Sequence, residues 1–162
     1  MYDKIKWLHV EPTTRCNAWC SSCGRNNNGY GLTDFVLEDL DPNRLEQVID
    51  NLPNLKVVQF CGNLGDPCVS KQIDQQLKII KDRDLELQIH TNGSLRSKDW
   101  RHNLAIMFSS RLTVLFAIDG LEDTHKIYRQ ATNWKKIIEN AKSFIDAGGN
   151  AVWQFIPFAH NE

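Results

Sequence analysis

Three cysteines lie within eight residues near the start of the chain. Cys16, Cys20 and Cys23 form a Cys-x3-Cys-x2-Cys pattern. Three thiolates in a short loop can hold three irons of a 4Fe–4S cluster, and the fourth iron then stays open to an exogenous ligand. An electron-transfer cluster normally takes four cysteines, so the absence of a fourth ligand from the motif is the informative feature.

Zinc is the main alternative occupant of these cysteines. Cys-x2-Cys is a frequent zinc element, but a closed tetrahedral site needs a fourth ligand, for which His9, Cys61 and Cys68 are the candidates. Three unrelated buried thiols are the remaining alternative, and spacing alone leaves all three open. Cys61 and Cys68 are too few for a second four-cysteine cluster, and we expect them to be core or loop thiols.

The bulk composition is that of an ordinary globular domain. The 162 residues are 41% hydrophobic and 24% charged, with a net charge of −1. This charge gives no electrostatic reason to expect nucleic acid or an anionic membrane as a partner. No apolar run approaches the roughly 20 residues of a membrane span, and the N-terminus lacks the apolar stretch of a signal peptide. We expect a single domain over residues 1–162 in the cytoplasm, where cysteines are more often ligands than disulfides.

Strand-like and helix-like patterns alternate along the chain. Strands are predicted over residues 7–11, 57–60, 85–90, 112–118 and 151–158. Helices are predicted between them, with N-caps at Asp41, Ser70, Ser97 and Asn133. Their apolar stripes include Val48 in the first helix and Ile145 in the last. Such alternation predicts an α/β fold with parallel strands, and both a barrel and an open sheet fit it.

The unusual residues follow the predicted strands. The cysteine loop comes after the first strand, residues 61–67 after the second, residues 91–93 after the third and residues 119–120 after the fourth. Ligands bind at the carboxyl ends of parallel strands in barrels and in open sheets. The four loops are therefore predicted to share one rim.

The segment from Glu11 to Cys23 resembles the cysteine loop of the radical S-adenosylmethionine (radical SAM) superfamily. Asn17 after the first cysteine and the aromatic Trp19 before the second are common in that loop. The resemblance implies a partial (β/α) TIM-like barrel, usually of six strands, of which five are visible here and the sixth is not. It also implies a 4Fe–4S cluster on the three cysteines and S-adenosylmethionine at the open iron.

Three loops carry further resemblances, which imply cofactor contacts. Gly65, Asp66 and Pro67 resemble the family's Gly-Gly-Glu-Pro motif, whose backbone binds the methionine amino group, with Asp66 in place of the usual Glu. Asn92 lies in a Thr-Asn-Gly segment that recurs in the family. Asp119 lies in a segment similar to the Ser-x-Asp-Gly of the branch with peptide- and protein-modifying members, although Ala117 replaces the serine.

His125 and Arg129 follow at helical spacing and resemble that branch's His-x-x-x-Arg stretch. There the arginine often reaches the cofactor carboxylate, a role suited to its bidentate geometry. We expect His125 to lie on a solvated helix face. Glu11, beside the cysteine loop, is expected to be a simple strand-end charge.

The resemblance implies a radical enzyme that takes electrons from an external flavodoxin- or ferredoxin-like donor. A 5′-deoxyadenosyl radical would remove hydrogen from a substrate that the sequence does not identify, with a peptide or protein implied by the branch. The sixth strand and any C-terminal domain are not seen. A minimal enzyme, a split subunit that needs a partner, and a non-catalytic metal module with structural zinc or Fe–S are the alternatives. The apolar fifth strand predicts that a second copy, another subunit or residues of a longer parent chain cover the open edge.

Overall fold

The computed structural model describes residues 2–25 and 36–162. Its strands are β1 (Trp7–Val10), β2 (Trp19–Cys20), β3 (Val57–Phe60), β4 (Glu86–Thr91), β5 (Leu112–Ala117), β6 (Arg129–Gln130) and β7 (Asn150–Gln154). Its α-helices are α1 (Pro42–Asp50), α2 (Ile73–Asp82), α3 (Lys98–Phe108), α4 (His125–Tyr128) and α5 (Trp134–Asp146). Strands β1, β3, β4, β5 and β7 form one sheet in that order, and every pair is parallel. The predicted α/β fold with five parallel strands is confirmed.

Three of the four predicted helix caps are confirmed. The Asp41 carboxylate accepts the Asn43 N–H at 2.8 Å, and Ser97 and Asn133 accept N–H groups from the first turns of α3 and α5. The cap predicted at Ser70 is wrong. A 3₁₀ turn, Pro67–Val69, ends at Ser70, whose hydroxyl accepts the Gln72 N–H, so α2 begins later.

Helices α1, α2, α3 and α5 pack on one face of the sheet. Alternate strand residues such as Val58, Phe60 and Ile89 are fully buried in this core. Val48 and Ile145, predicted to face inward, are instead 47% and 53% exposed. Each lies one residue from a buried position of its helix, which turns it about 100° away from the core.

The fifth strand of the sheet is shorter than predicted. Residues 151–158 were the expected span, whereas β7 is Asn150–Gln154. The Ile156 N–H donates to the Asp119 carboxylate at 2.8 Å, and Pro157 has no N–H, so the ladder cannot continue. The other four strand predictions agree to within one residue at each end.

The two edges of the sheet are β1 and β7. Large apolar side chains at and beyond the β7 edge are exposed, namely Val152, Trp153, Phe155 and Ile156. Within the described residues, no helix combines the length and the apolar character needed to cross a membrane.

Candidate active site at the carboxyl ends of the strands

The cysteine loop leaves the carboxyl end of β1 and is fixed by a short antiparallel ladder. Trp19 pairs with Gln130 and Cys20 pairs with Arg129 across β2 and β6. This ladder joins the loop to the segment that follows β5. The position of Cys20 is therefore set by backbone hydrogen bonds to a distant part of the chain.

Gly65 lets the loop after β3 touch the cysteine loop. A Cβ at this position would overlap the Thr13 carbonyl and come within 2.7 Å of the Arg15 carbonyl oxygen. The next residue, Asp66, donates its N–H to the same Arg15 carbonyl at 2.8 Å. Only glycine permits this close approach of two backbones.

The buried Asp66 carboxylate ties the loop after β3 to the end of β4. It accepts the Thr91 hydroxyl at 2.9 and 3.0 Å, the Asn92 N–H at 2.7 Å and the Cys68 N–H at 2.9 Å. These bonds use both carboxylate oxygens. The Asp66 side chain therefore holds this loop in shape.

Asn92 reaches directly into the cysteine loop. Its Nδ2 donates to Asn17 Oδ1 at 3.0 Å and lies 4.0 Å from Cys16 Sγ, while its Oδ1 accepts the Ser94 N–H. This hydrogen bond gives Asn17 a structural role directly after the first cysteine. The asparagine pair connects the end of β4 to the cysteine loop.

Asp119 and Arg129 form a buried ion pair beside Cys20. Arg129 Nε donates to Asp119 Oδ2 at 2.6 Å, and Arg129 Nη1 donates to Cys20 Sγ at 3.7 Å. The Asp119 side chain has no exposed surface. The arginine therefore lies against one of the three predicted cluster ligands, at the wall of the cavity described below.

The prediction of a solvated His125 is wrong, because this residue is 1% exposed. Its Nδ1 accepts the Asp119 N–H at 3.2 Å, and its Nε2 lies 3.2 Å from the Thr132 hydroxyl. Since Nδ1 accepts, the proton resides on Nε2. Burial lowers the pKa of His125, and the nearby Arg129 adds to this effect.

Glu11 does more than carry a charge at the end of a strand. Its two carboxylate oxygens accept the backbone N–H groups of Asn63 and Leu64 at 3.2 and 3.3 Å. These residues belong to the loop that contains Gly65. Glu11 therefore anchors that loop from the strand that precedes the cysteines.

Two thiols of the cysteine loop, those of Cys16 and Cys20, lie in surroundings that favour their neutral form. Burial raises the pKa of Cys16 to about 11, and the charge of Asp66 adds to the effect. Burial also raises the pKa of Cys20. A bound metal group would lower these pKa values, because its positive charge stabilises the thiolates.

Within residues 2–25 and 36–162, no three His, Cys, Asp or Glu side chains are grouped so as to hold one metal ion. Cys61 is buried at the wall of the cavity, and Cys68 is buried in the core. Burial raises the pKa of both, that of Cys61 to about 11.

A cavity of about 290 Å³ opens between the loops and the sheet. The predicted site residues Cys16, Gly65, Asp66, Asn92 and Arg129 line it. Polar residues on the strands line it as well, namely His9, which the sequence indicated only as a candidate zinc ligand, and Gln59, His90 and Gln154, which it did not indicate. The signal that could have found them was a polar residue near the carboxyl end of each of these strands.

Comparison with known proteins gives the family. The family model of the radical SAM superfamily matches residues 10–162. The chain belongs to the radical SAM superfamily. The prediction from the cysteine loop is therefore confirmed, and so are the cofactors that this superfamily uses, a 4Fe–4S cluster and S-adenosylmethionine.

Two curated relatives of this radical SAM chain come from archaea. One is a tungsten-containing aldehyde ferredoxin oxidoreductase cofactor-modifying protein of Pyrococcus furiosus, 30% identical over 105 residues, which are 62% of this chain and 28% of the relative. The other is a probable GTP 3′,8-cyclase of Thermococcus kodakarensis, 23% identical over 98% of this chain and 56% of the relative. The chain thus spans between about a quarter and just over half of these relatives.

Solved radical SAM structures share the fold. SuiB of Streptococcus suis, bound to its precursor peptide SuiA, is 20% identical with a TM-score of 0.72, over 91% of this chain and 32% of SuiB. The enzyme anSMEcpe with bound AdoMet is 16% identical with a TM-score of 0.69, over 92% of this chain and 43% of that one. The predicted partial TIM-like barrel is confirmed at the level of fold, and the individual cofactor-binding residues stay predictions.

Proposed function

We propose that this chain is the catalytic core of a radical SAM enzyme, with the cluster on Cys16, Cys20 and Cys23. The observation that carries the proposal is the position of the cysteine loop, whose Cys16 lines a cavity where the parallel strands end. When bound, the cluster and S-adenosylmethionine supply a 5′-deoxyadenosyl radical, which removes a hydrogen atom from the substrate. The chain's own residues bind, orient and shield these groups.

The loops around the cavity are suited to hold S-adenosylmethionine. The backbone around Gly65, Asp66 and Pro67 would bind its amino group, since the Asp66 side chain is fully engaged within the protein. Within the described chain, Arg129 Nη2 makes no hydrogen bond, and its N–H groups are suited to the cofactor carboxylate. Asp119 positions Arg129, and Asn92 holds the cysteine loop beside the cofactor.

The interior of the cavity is built for a substrate that forms hydrogen bonds. Trp7 Nε1 donates to Gln59 Oε1 at 3.0 Å, and Gln59 Nε2 lies 2.8 Å from His90 Nε2. An indole N–H can only donate, so the Gln59 oxygen faces Trp7 and its NH₂ donates to His90. His90 Nε2 therefore accepts, and its proton lies on Nδ1. Burial lowers the pKa of His90, which favours the neutral ring.

A peptide is the substrate class that we infer for this cavity. Peptide amides and side chains supply the donors and acceptors that a row of glutamine and histidine side chains can pair with. Among the structural neighbours, SuiB is described with a precursor peptide and anSMEcpe with the Cp18Cys peptide. A peptide could also reach the cavity along the open side of the sheet.

The remaining parts of the proposed function concern partners. A low-potential donor of the flavodoxin or ferredoxin class supplies the electron, and the cytoplasm keeps the cysteines reduced. A second copy, a partner subunit or further chain covers the β7 edge, whose apolar side chains are exposed. The core formed by residues 1–162 is one domain of that assembly.

The direct test of this function is the formation of 5′-deoxyadenosine. The chain is reconstituted anaerobically with iron and sulfide, reduced with dithionite, and supplied with S-adenosylmethionine. We expect slow production of 5′-deoxyadenosine and methionine, measured by liquid chromatography. Cys20→Ala should abolish it, whereas Cys61→Ala, at the wall of the same cavity, should retain it. Equal activity in the wild type and Cys20→Ala would refute the proposal.

A further inference from the structure

Arg129 is held by contacts on three sides. Its Nε donates to Asp119 at 2.6 Å, its Nη1 donates to Cys20 Sγ at 3.7 Å, and its guanidinium carbon lies 5.2 Å from the centre of the Tyr128 ring. The side chain is only 18% exposed. A full positive charge therefore lies beside the sulfur of Cys20 in a region of low dielectric constant.

Asp119 is itself fixed by hydrogen bonds to three other residues, so it acts as a positioning residue for Arg129. Its Oδ1 accepts the Ile156 N–H at 2.8 Å, its N–H donates to His125, and its carbonyl accepts Asn161 Nδ2 at 3.1 Å. These hydrogen bonds orient Asp119 Oδ2 toward the Arg129 guanidinium. The backbone of Arg129 also pairs with Cys20 in the β2–β6 ladder, so the approach of Arg129 to the sulfur is fixed from both ends.

Hydrogen bonds to cluster sulfurs and nearby positive charge favour the reduced state of an iron–sulfur cluster. Reduction adds one electron to the cluster, breaks no bond, and draws that electron from a low-potential ferredoxin- or flavodoxin-class donor. We propose that Arg129, aimed by Asp119, raises the reduction potential of the cluster by donating an N–H to Cys20 Sγ. This inference rests on the proposed function, because it requires the cluster on the three cysteines.

This role is separate from binding the carboxylate of S-adenosylmethionine. Arg129 Nη1 donates to the sulfur of Cys20. Nη2 has no hydrogen bond in the described part of the chain, so it can donate to the cofactor carboxylate. The effect on the potential exists before the cofactor binds. A measurement without S-adenosylmethionine therefore isolates the contact with Cys20.

The test is a redox titration of the reconstituted chain, followed by EPR in the absence of S-adenosylmethionine. Arg129→Gln should shift the midpoint potential of the cluster to a more negative value. Arg129→Lys keeps the positive charge but loses the planar guanidinium with its fixed N–H directions. The midpoint potential of its cluster should therefore lie between those of the wild type and Arg129→Gln. Lys126→Gln removes one charge from an exposed position on the same segment and should leave the potential unchanged.

The iron content of each variant is measured alongside its potential. An Arg129→Gln variant with full iron content and the wild-type potential would overturn the inference. If Arg129→Gln takes up too little iron for a titration, the midpoint potential of Arg129→Lys is the test. A wild-type potential in Arg129→Lys would overturn the role of the hydrogen bond to Cys20. A wild-type chain that takes up no cluster would overturn the proposed function instead, a result that the iron analysis distinguishes from an unchanged potential.

Discussion

Asp66 shows what one changed residue in a recognised motif does. The sequence identifies the Gly-Asp-Pro segment as a counterpart of the family's Gly-Gly-Glu-Pro motif, but it does not explain the aspartate. The structure gives the reason, because the carboxylate accepts hydrogen bonds from Thr91, Asn92 and Cys68. Two of these partners lie more than twenty residues away, so no local pattern could have predicted the contacts.

The burial of His125 could not be predicted from the sequence for a related reason. Its spacing to Arg129 fits an exposed helix, yet α4 is a single turn and the following residues fold back over the imidazole. The partners that bury it are the backbone N–H of Asp119 and the hydroxyl of Thr132. Its burial depends on how the segment after β5 returns to the sheet, which helical spacing does not encode.

The lowered pKa of His125 predicts how stability depends on pH. Its folded pKa lies below the ordinary value of 6.5, so the unfolded chain binds the proton more readily than the folded chain. The stability that the neutral ring contributes is therefore present above about pH 6.5 and is lost as the pH falls toward the folded pKa. His90, whose pKa burial also lowers, acts in the same direction.

We expect the unfolding free energy of the metal-free chain to fall between pH 7 and pH 5, by denaturant titration followed by circular dichroism. His125→Gln should lower stability at pH 7 by about 1–3 kcal/mol, because buried partners lose their hydrogen bonds. It should also make the pH dependence shallower. His102→Gln, on the exposed side of α3, should unfold like the wild type at pH 7. A His125→Gln variant with the wild-type stability and pH profile would contradict this role.

At the scale of elements, the cysteine loop is shaped by its neighbours. The β2–β6 ladder, the Asn17–Asn92 pair and the Gly65 contact each join it to a loop from a different strand. The sequence predicted that these loops share one rim, because parallel strands end on the same side. It could not predict the contacts themselves, since they depend on the register of the sheet.

Gly65→Ala tests the closest of these contacts. The added methyl group would overlap the Thr13 carbonyl, so the two loops must separate. We expect a loss of about 1–3 kcal/mol in stability and a lower cluster content, measured by thermal unfolding and by iron analysis. Gly24→Ala is the matched control, because a Cβ on this glycine beside Cys23 meets no atom of residues 2–25 and 36–162 within 4 Å. Equal cluster content in both variants would show that the Gly65 contact is dispensable.

At the scale of the whole molecule, the sheet has an open apolar side. Val152, Phe155 and Ile156 are each 41% exposed and Trp153 is 63% exposed at the β7 edge. The sequence predicted this edge from its run of aromatic and β-branched residues. The strand predicted to residue 158 ends earlier in the structure, because the Ile156 N–H donates to Asp119 and not to a neighbouring strand. An unpaired apolar edge favours association with another chain.

We expect the purified chain to associate, as measured by light scattering over a range of concentrations. Val152→Lys places a charge on the edge strand and should shift the population toward monomer. Ile106→Lys, at a 61% exposed position on α3, should leave association unchanged. Amide hydrogen exchange at residues 150–154 should be slow in the associated form. A wild-type monomer with fast exchange along this strand would contradict the prediction.

The central claim is that Cys16, Cys20 and Cys23 hold a 4Fe–4S cluster whose fourth iron binds S-adenosylmethionine. The most direct measurement is the EPR spectrum of the anaerobically reconstituted, reduced chain before and after S-adenosylmethionine is added. We expect about four irons and about four sulfides per chain, and a clear change in the EPR signal when the cofactor joins the open iron. An EPR signal that S-adenosylmethionine leaves unchanged, or stoichiometric zinc in place of iron in the anaerobically purified chain, would contradict the claim.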